Sequence, residues 1–202
     1  LYNRARFGSF TDFGANYNLT VNDMTKRGVN FGRLAPALFA YFLQPPCVTG
    51  TFPYLQAAPF DTTYLGQTIK EVTFGGVLAC LPVLWLLPFA PRILRLRISQ
   101  RSTRTILGVI VVLLATGVLV ALVDAEMAGI LQRYYADFSF MFLAAVVLLA
   151  FIVNENLAPG STMAQIFTKV LLALVAISVL YSVLDIYPWA YQSLIEMVEF
   201  WT

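Results

Sequence analysis

The chain has 202 residues, 59% hydrophobic and only 12% charged, whereas an ordinary water-soluble domain carries about 25% charge. With a net charge of +2, no histidine and two cysteines, it has no means of building a histidine triad, a cysteine-rich metal site or a disulfide scaffold, and its basic residues do not form an aromatic-interleaved surface for nucleic acid. The apolar excess gathers in four blocks, each near the roughly 20 residues that cross a bilayer, so the chain reads as an all-α integral membrane protein.

In chain order, residues 1–71 are expected to form an external loop region. Leu1 to Gly8 reads as the exit of an apolar segment, with Tyr2 at the interface and then Arg4 and Arg6, and the expectation is that further transmembrane helices of the same protein lie upstream. Residues 1–33 mix Gly and Asn, which favour turns, with the aromatics Tyr2, Phe7, Phe10, Phe13, Tyr17 and Phe31. A disordered tail lacks aromatics, so an ordered loop packed on the outer ends of the spans is predicted. Residues 30–44 place Leu34, Leu38, Tyr41 and Phe42 at helical spacing before Pro45-Pro46. That segment rises about 22 Å, too little to cross comfortably, and is predicted to lie in the interface or dip back. A second loop, 47–70, contains Pro53 and Pro59.

Four transmembrane helices are predicted within 72–186, over about 72–91, 105–123, 137–153 and 166–186. Pro82 should kink the first. Gly75, Gly76, Ala79 and Cys80 give it a face of small residues that lets another helix approach closely. The third is short and should begin earlier, within Ile130–Tyr135. The tail 187–202, with Tyr187, Trp189, Tyr191 and Trp201, reads as an external interfacial helix. Cys80 lies inside an apolar block, so no bridge to Cys47 is expected.

Orientation follows from charge. Residues 92–104 hold five arginines and no acid, and short loops rich in Lys and Arg stay cytoplasmic. The 1–71 region, the 124–136 connection and the tail are then external, and the 154–165 turn is internal. Seven bases against ten acids fall on the external side. The same arginines also suit phosphate or anionic lipid heads.

Few residues suggest chemistry. Asp124, Glu126, Asp137 and Asp185 mark helix ends that share the outer face. Arg133 and Asp137, four apart, can pair on one helix face, either as a structural interface pair or as part of a substrate site. In the N-terminal loop, Arg4, Arg6 and Asp12 lie among aromatics. Guanidinium groups hold phosphate and aromatic faces stack on sugars, although these groups serve equally to knit a loop together. Asn18-Leu19-Thr20 matches a glycosylation sequon. Ser178, Tyr181 and Ser182 read as helix-packing groups.

The run Tyr2-Asn3-Arg4-Ala5-Arg6-Phe7-Gly8-Ser9 with Phe13-Gly14 and Tyr17-Asn18-Leu19, and the later Arg133-Tyr134-Tyr135-Ala136-Asp137-Phe138, resemble segments of large bacterial polytopic membrane proteins similar to the GT-C type of glycosyltransferase. The resemblance implies a polyprenyl-phosphate-linked sugar as partner, action on the outer face of the bacterial plasma membrane, and a C-terminal position for this chain. It also implies that the catalytic carboxylates lie in an external loop that nothing here matches. No catalytic residue or cofactor is therefore assigned, and Arg4, Arg6, Asp12, Arg133 and Asp137 are the expected substrate-binding residues. The rival reading is a non-enzymatic transporter subunit or membrane scaffold. A transporter breaks a helix near the bilayer midplane, and Pro82 is the candidate for such a break.

Overall fold

A computed structural model of the chain describes residues 1–11, 31–58, 61–64, 67–70, 73–89, 101–127, 130 and 132–201. Asp12, the sequon and most of the arginine-rich loop lie outside the described residues. In chain order come α1 (Tyr2–Phe7), α2 (Leu34–Leu38) running into a π-helical turn at Phe39–Leu43, and the short strands β1 (Cys47–Val48), β2 (Leu55–Gln56), β3 (Asp61–Tyr64) and β4 (Gln67–Lys70). Then follow α3 (Val77–Cys80), a 3-10 segment at Pro82–Phe89, and α4 (Arg101–Met127), α5 (Tyr135–Asn156) and α6 (Thr162–Trp201).

Three helices are long and apolar enough to cross a membrane: Arg104–Glu126, Gln132–Asn156 and Thr162–Pro188. They match the second, third and fourth predicted spans, each extended at its ends, and the third does begin near Gln132. Large apolar side chains such as Val111, Val112, Leu119, Phe140, Phe151, Leu172 and Leu180 are exposed on them, the surface a bilayer would cover. Beyond Pro188, α6 simply continues to Trp201, so the tail is the end of the last helix rather than a separate interfacial one.

The first predicted span takes another form. Over 72–91 the described residues contain four residues of α-helix and eight of 3-10 helix. Even laid end to end these rise only about 22 Å, short of the about 30 Å of bilayer hydrocarbon. Pro82 is the cause. It has no N–H to donate, and its ring collides with the carbonyl four residues back, that of Leu78. The indole Nε1 of Trp85 donates to the Leu78 carbonyl at 3.0 Å, and the Val83 N–H bonds Ser178 Oγ of α6 at 3.3 Å. Irregular backbone at membrane depth survives where protein satisfies it in this way. Val83, Leu84 and Leu86 are buried, and the segment packs on both α5 and α6.

The 30–44 segment is helical, as predicted, and part of it is buried. Residues 31–43 are helical throughout, and Ala37, Ala40 and Tyr41 are at most 1% exposed and sit in the core. Tyr41 packs edge-on against Tyr135 and beside Phe138, and Phe42 meets Phe138 and Phe142. The expected 47–70 loop is two antiparallel hairpins, pairing Val48 with Leu55 and Thr62 with Ile69.

Close approach, where the sequence expected it, is met by backbone. The Gly76 N–H donates to the Gln44 carbonyl at 2.7 Å, and a Cβ on Gly76 would lie 2.7 Å from Gln44 N and from the Phe42 carbonyl carbon. A second row of small residues, Gly117, Ala121 and Ala125, sits at four-residue spacing on α4. Ala121 and Ala125 are at most 1% exposed, and Gly117 leaves room for the Phe142 ring of α5.

Candidate functional site: a polar cluster at the acidic end of the helices

Successive crossings alternate in direction. Asp124, Glu126, Asp137 and Asp185 therefore gather at one end of the helices, with Arg104 and Lys169 toward the other. At the acidic end, α6 presents Ser178, Tyr181 and Asp185 at i, i+3 and i+7, a polar stripe along one helix face. Ser178 is the single residue of 162–187 that is fully buried.

The stripe holds the broken segment in place. Ser178 Oγ donates to the Leu174 carbonyl at 2.8 Å and accepts from Val83 N–H. The Tyr181 hydroxyl donates to the Phe74 carbonyl. Gln132, in the 3-10 turn that precedes α5, bridges two elements: its Oε1 accepts from Phe74 N–H at 2.9 Å and its Nε2 donates to Asp185 Oδ2. Both main-chain groups of Phe74 are thus satisfied by side chains from other elements. Gly75, at φ +141°, takes the chain past the Tyr181 hydroxyl, which would lie 2.8 Å from a Cβ there.

Several buried oxygens at this end have no hydrogen-bond partner, Asp124 Oδ2 among them. Asp185 Oδ1 is buried without a hydrogen-bond partner, and so is Thr73 Oγ1 on a residue only 1% exposed. Asp185 lies within electrostatic reach of Cys80, Tyr135 and Tyr181. Tyr135 is anchored by donating to the Ala40 carbonyl at 3.1 Å. Cys80 and Cys47 are both free thiols. A carboxylate with one oxygen fixed by an amide and the other open is a preorganised acceptor for an O–H or N–H of a ligand. Among the described residues no group of three or more Asp, Glu or Cys side chains is arranged to hold a metal ion.

The residues selected from sequence lie elsewhere. Arg4 sits over the Phe10 ring at 5.1 Å. Arg6 donates to the Tyr2 hydroxyl at 2.6 Å and lies over the Phe7 ring at 5.2 Å. Helix α1 has no fully buried residue. Arg133 lies over the Tyr134 ring at 5.2 Å, with no bond to Asp137. Asp137 is exposed and lies within electrostatic reach of Asp124. None of Arg4, Arg6, Arg133 and Asp137 bonds to another of the four.

Sequence reasoning passed over Gln132 and treated Ser178 and Tyr181 as packing groups. The available signal was the spacing Ser178–Tyr181–Asp185, a polar face on an otherwise apolar span. Comparison with known proteins adds no assignment: no family model matches this chain, and no curated protein or solved structure is similar to it.

Proposed function

We propose that this chain is the membrane region of a bacterial glycosyltransferase-like protein in the plasma membrane, whose Asp185 cluster holds hydroxyls of a polyprenyl-phosphate-linked sugar at the outer face. The supporting observation is the Asp185 carboxylate, one oxygen fixed by Gln132 and the other buried and unpartnered. A sugar hydroxyl supplies the missing donor. In this reading residues 73–89 are a fourth, broken crossing and the Arg92–Arg104 loop is cytoplasmic. Asp185 acts as a binding group, and the base for transfer is not assigned to it.

The experiment compares thermal shifts of the purified chain with a polyprenyl-phosphate-linked sugar and with the bare polyprenyl phosphate. A sugar-dependent shift that disappears in Asp185→Asn is expected. Equal shifts with both lipids, or an unchanged response in Asp185→Asn, overturn the reading.

A transporter subunit is the second reading, favoured by the α-helix that breaks at Pro82 within electrostatic reach of an intramembrane acid. Discontinuous helices beside ionisable groups are how transporters build ion and substrate sites. A shift produced by Na+ or by a pH change alone, lost in Asp185→Asn and absent with the lipid, selects this reading over the first.

A further inference from the structure

At the opposite end of the helices, α5 and α6 are separated by an open slot of about 460 Å3, within the roughly 300–1,000 Å3 of small-molecule sites. The 3-10 segment packs against both helices, and its Val83 forms part of the slot wall. Its walls are apolar, with Val147, Ala150 and Phe151 on α5 facing Phe167, Leu171 and Val175 on α6. Toward the Asn156–Thr162 turn the character changes. A second hollow of about 470 Å3 is lined by Gln165 and Lys169. Asn154 and Thr168 line both hollows, so the two adjoin along α6.

Lys169 is the one cation inside the Thr162–Pro188 span. It stands seven residues in from Thr162, about 10 Å along the helix axis. Among the described residues no carboxylate pairs with it, Thr168 Oγ1 donates to the Ala164 carbonyl of the same helix at 2.9 Å, and Gln165 Nε2 donates to the Gly160 carbonyl of the preceding turn at 3.3 Å. A lysine at that depth reaches back toward the headgroup level. The groove is thus an apolar slot adjoining a polar hollow that Lys169 lines.

We propose that this groove binds an anionic phospholipid of the Lys169-side leaflet, with an acyl chain in the α5–α6 slot and the phosphate at Lys169. The complementarity has two parts that a single occupant must satisfy together. A free phosphate leaves the slot empty, and a neutral lipid leaves Lys169 without a counter-charge. Lys169 stands 16 residues before Asp185 on α6 and lines no part of the Asp185 cluster, so loss of the lysine and loss of the acid are separable.

The test uses the whole chain in detergent, with added phosphatidylglycerol, phosphatidylcholine or glycerol phosphate, read by thermal shift and by native mass spectrometry of retained lipid. The expected result is a larger shift and more retained lipid with phosphatidylglycerol than with phosphatidylcholine, and no shift with glycerol phosphate. Lys169→Gln, at an exposed side chain, should weaken phosphatidylglycerol retention about fivefold, the effect of one basic residue at an anionic surface, and abolish the headgroup preference. Arg104→Gln, a cation toward the same leaflet but outside the groove, should retain it. Ala150→Phe should reduce retention of both lipids by filling the slot. Equal retention of the two lipids by the parent, an unaltered preference in Lys169→Gln, or an equal loss in Arg104→Gln overturns the proposal. So does a shift by glycerol phosphate alone, or cysteine cross-linking between two copies through Phe151→Cys.

Discussion

Gly76→Ala is expected to be among the most damaging small substitutions in this chain. The Cβ it adds would lie 2.7 Å from Gln44 N and from the Phe42 carbonyl carbon, and 2.8 Å from Leu43 N. These are backbone atoms at the end of the π-helical turn, so no flexible side chain can swing aside. That turn is itself pinned, because Tyr41 is wholly buried and the Ala40 carbonyl accepts from Tyr135. Overpacking a close contact costs about 1–3 kcal/mol. Displacing the two segments also lengthens the 2.7 Å bond from Gly76 N–H to the Gln44 carbonyl, worth about 1 kcal/mol more. A loss of about 2–4 kcal/mol follows. Gly108→Ala is the matched control: nothing lies within 4 Å of its added Cβ, and within a helix the exchange should stabilise by about 0.5–1 kcal/mol. Both variants should be unfolded by denaturing detergent in mixed micelles, followed by circular dichroism and tryptophan fluorescence. If Gly76→Ala unfolds within about 0.5 kcal/mol of the parent, the backbone contact between residues 42–44 and 76 is not part of the fold and the placement of the broken segment is wrong.

Other substitutions test the remaining joints. Gln132→Leu leaves the Phe74 N–H and Asp185 Oδ2 without their partner and should cost about 2 kcal/mol in the same unfolding assay, while Gln165→Leu, whose amide caps an exposed turn, should cost much less. Ser178→Ala removes the acceptor for Val83 N–H and should cost about 1 kcal/mol. Ser182→Ala should be close to neutral, because that hydroxyl bonds only its own helix at the Ser178 carbonyl. For topology, single cysteines replacing Thr11 and Ser102, in a chain with Cys47 and Cys80 substituted, should label with an impermeant thiol reagent in intact cells at position 11 and only after permeabilisation at 102. The reverse pattern inverts the orientation.

The membrane class and three crossings were legible in the sequence because long apolar runs leave a chain no other way to satisfy its backbone in lipid. The same local logic located the 31–43 helix, the early start of α5 and the close approach at Gly75 and Gly76. Each of these depends on residues adjacent in sequence: an apolar run, a Pro-Pro stop, a missing Cβ. What local pattern left undecided was partnership. A glycine says that something comes near, but only the tertiary structure shows that Gly76 meets the backbone of residues 42–44 and Gly75 the Tyr181 hydroxyl. Pro82 announces a disturbance. Whether it kinks a helix or ends it depends on whether neighbours can take up the freed groups, and Trp85 and Ser178 do so here. The polar cluster was hidden for the same reason. Gln132 and Asp185 are 53 residues apart and Tyr181 and Phe74 are 107 apart, so no periodicity joins them. Charge and aromatic content drew attention to Arg4, Arg6, Arg133 and Asp137, yet these side chains stack on local rings or face outward. The acid that is held and half-covered is the one that a broken helix, packed between two others, brings within reach of an amide and a phenol.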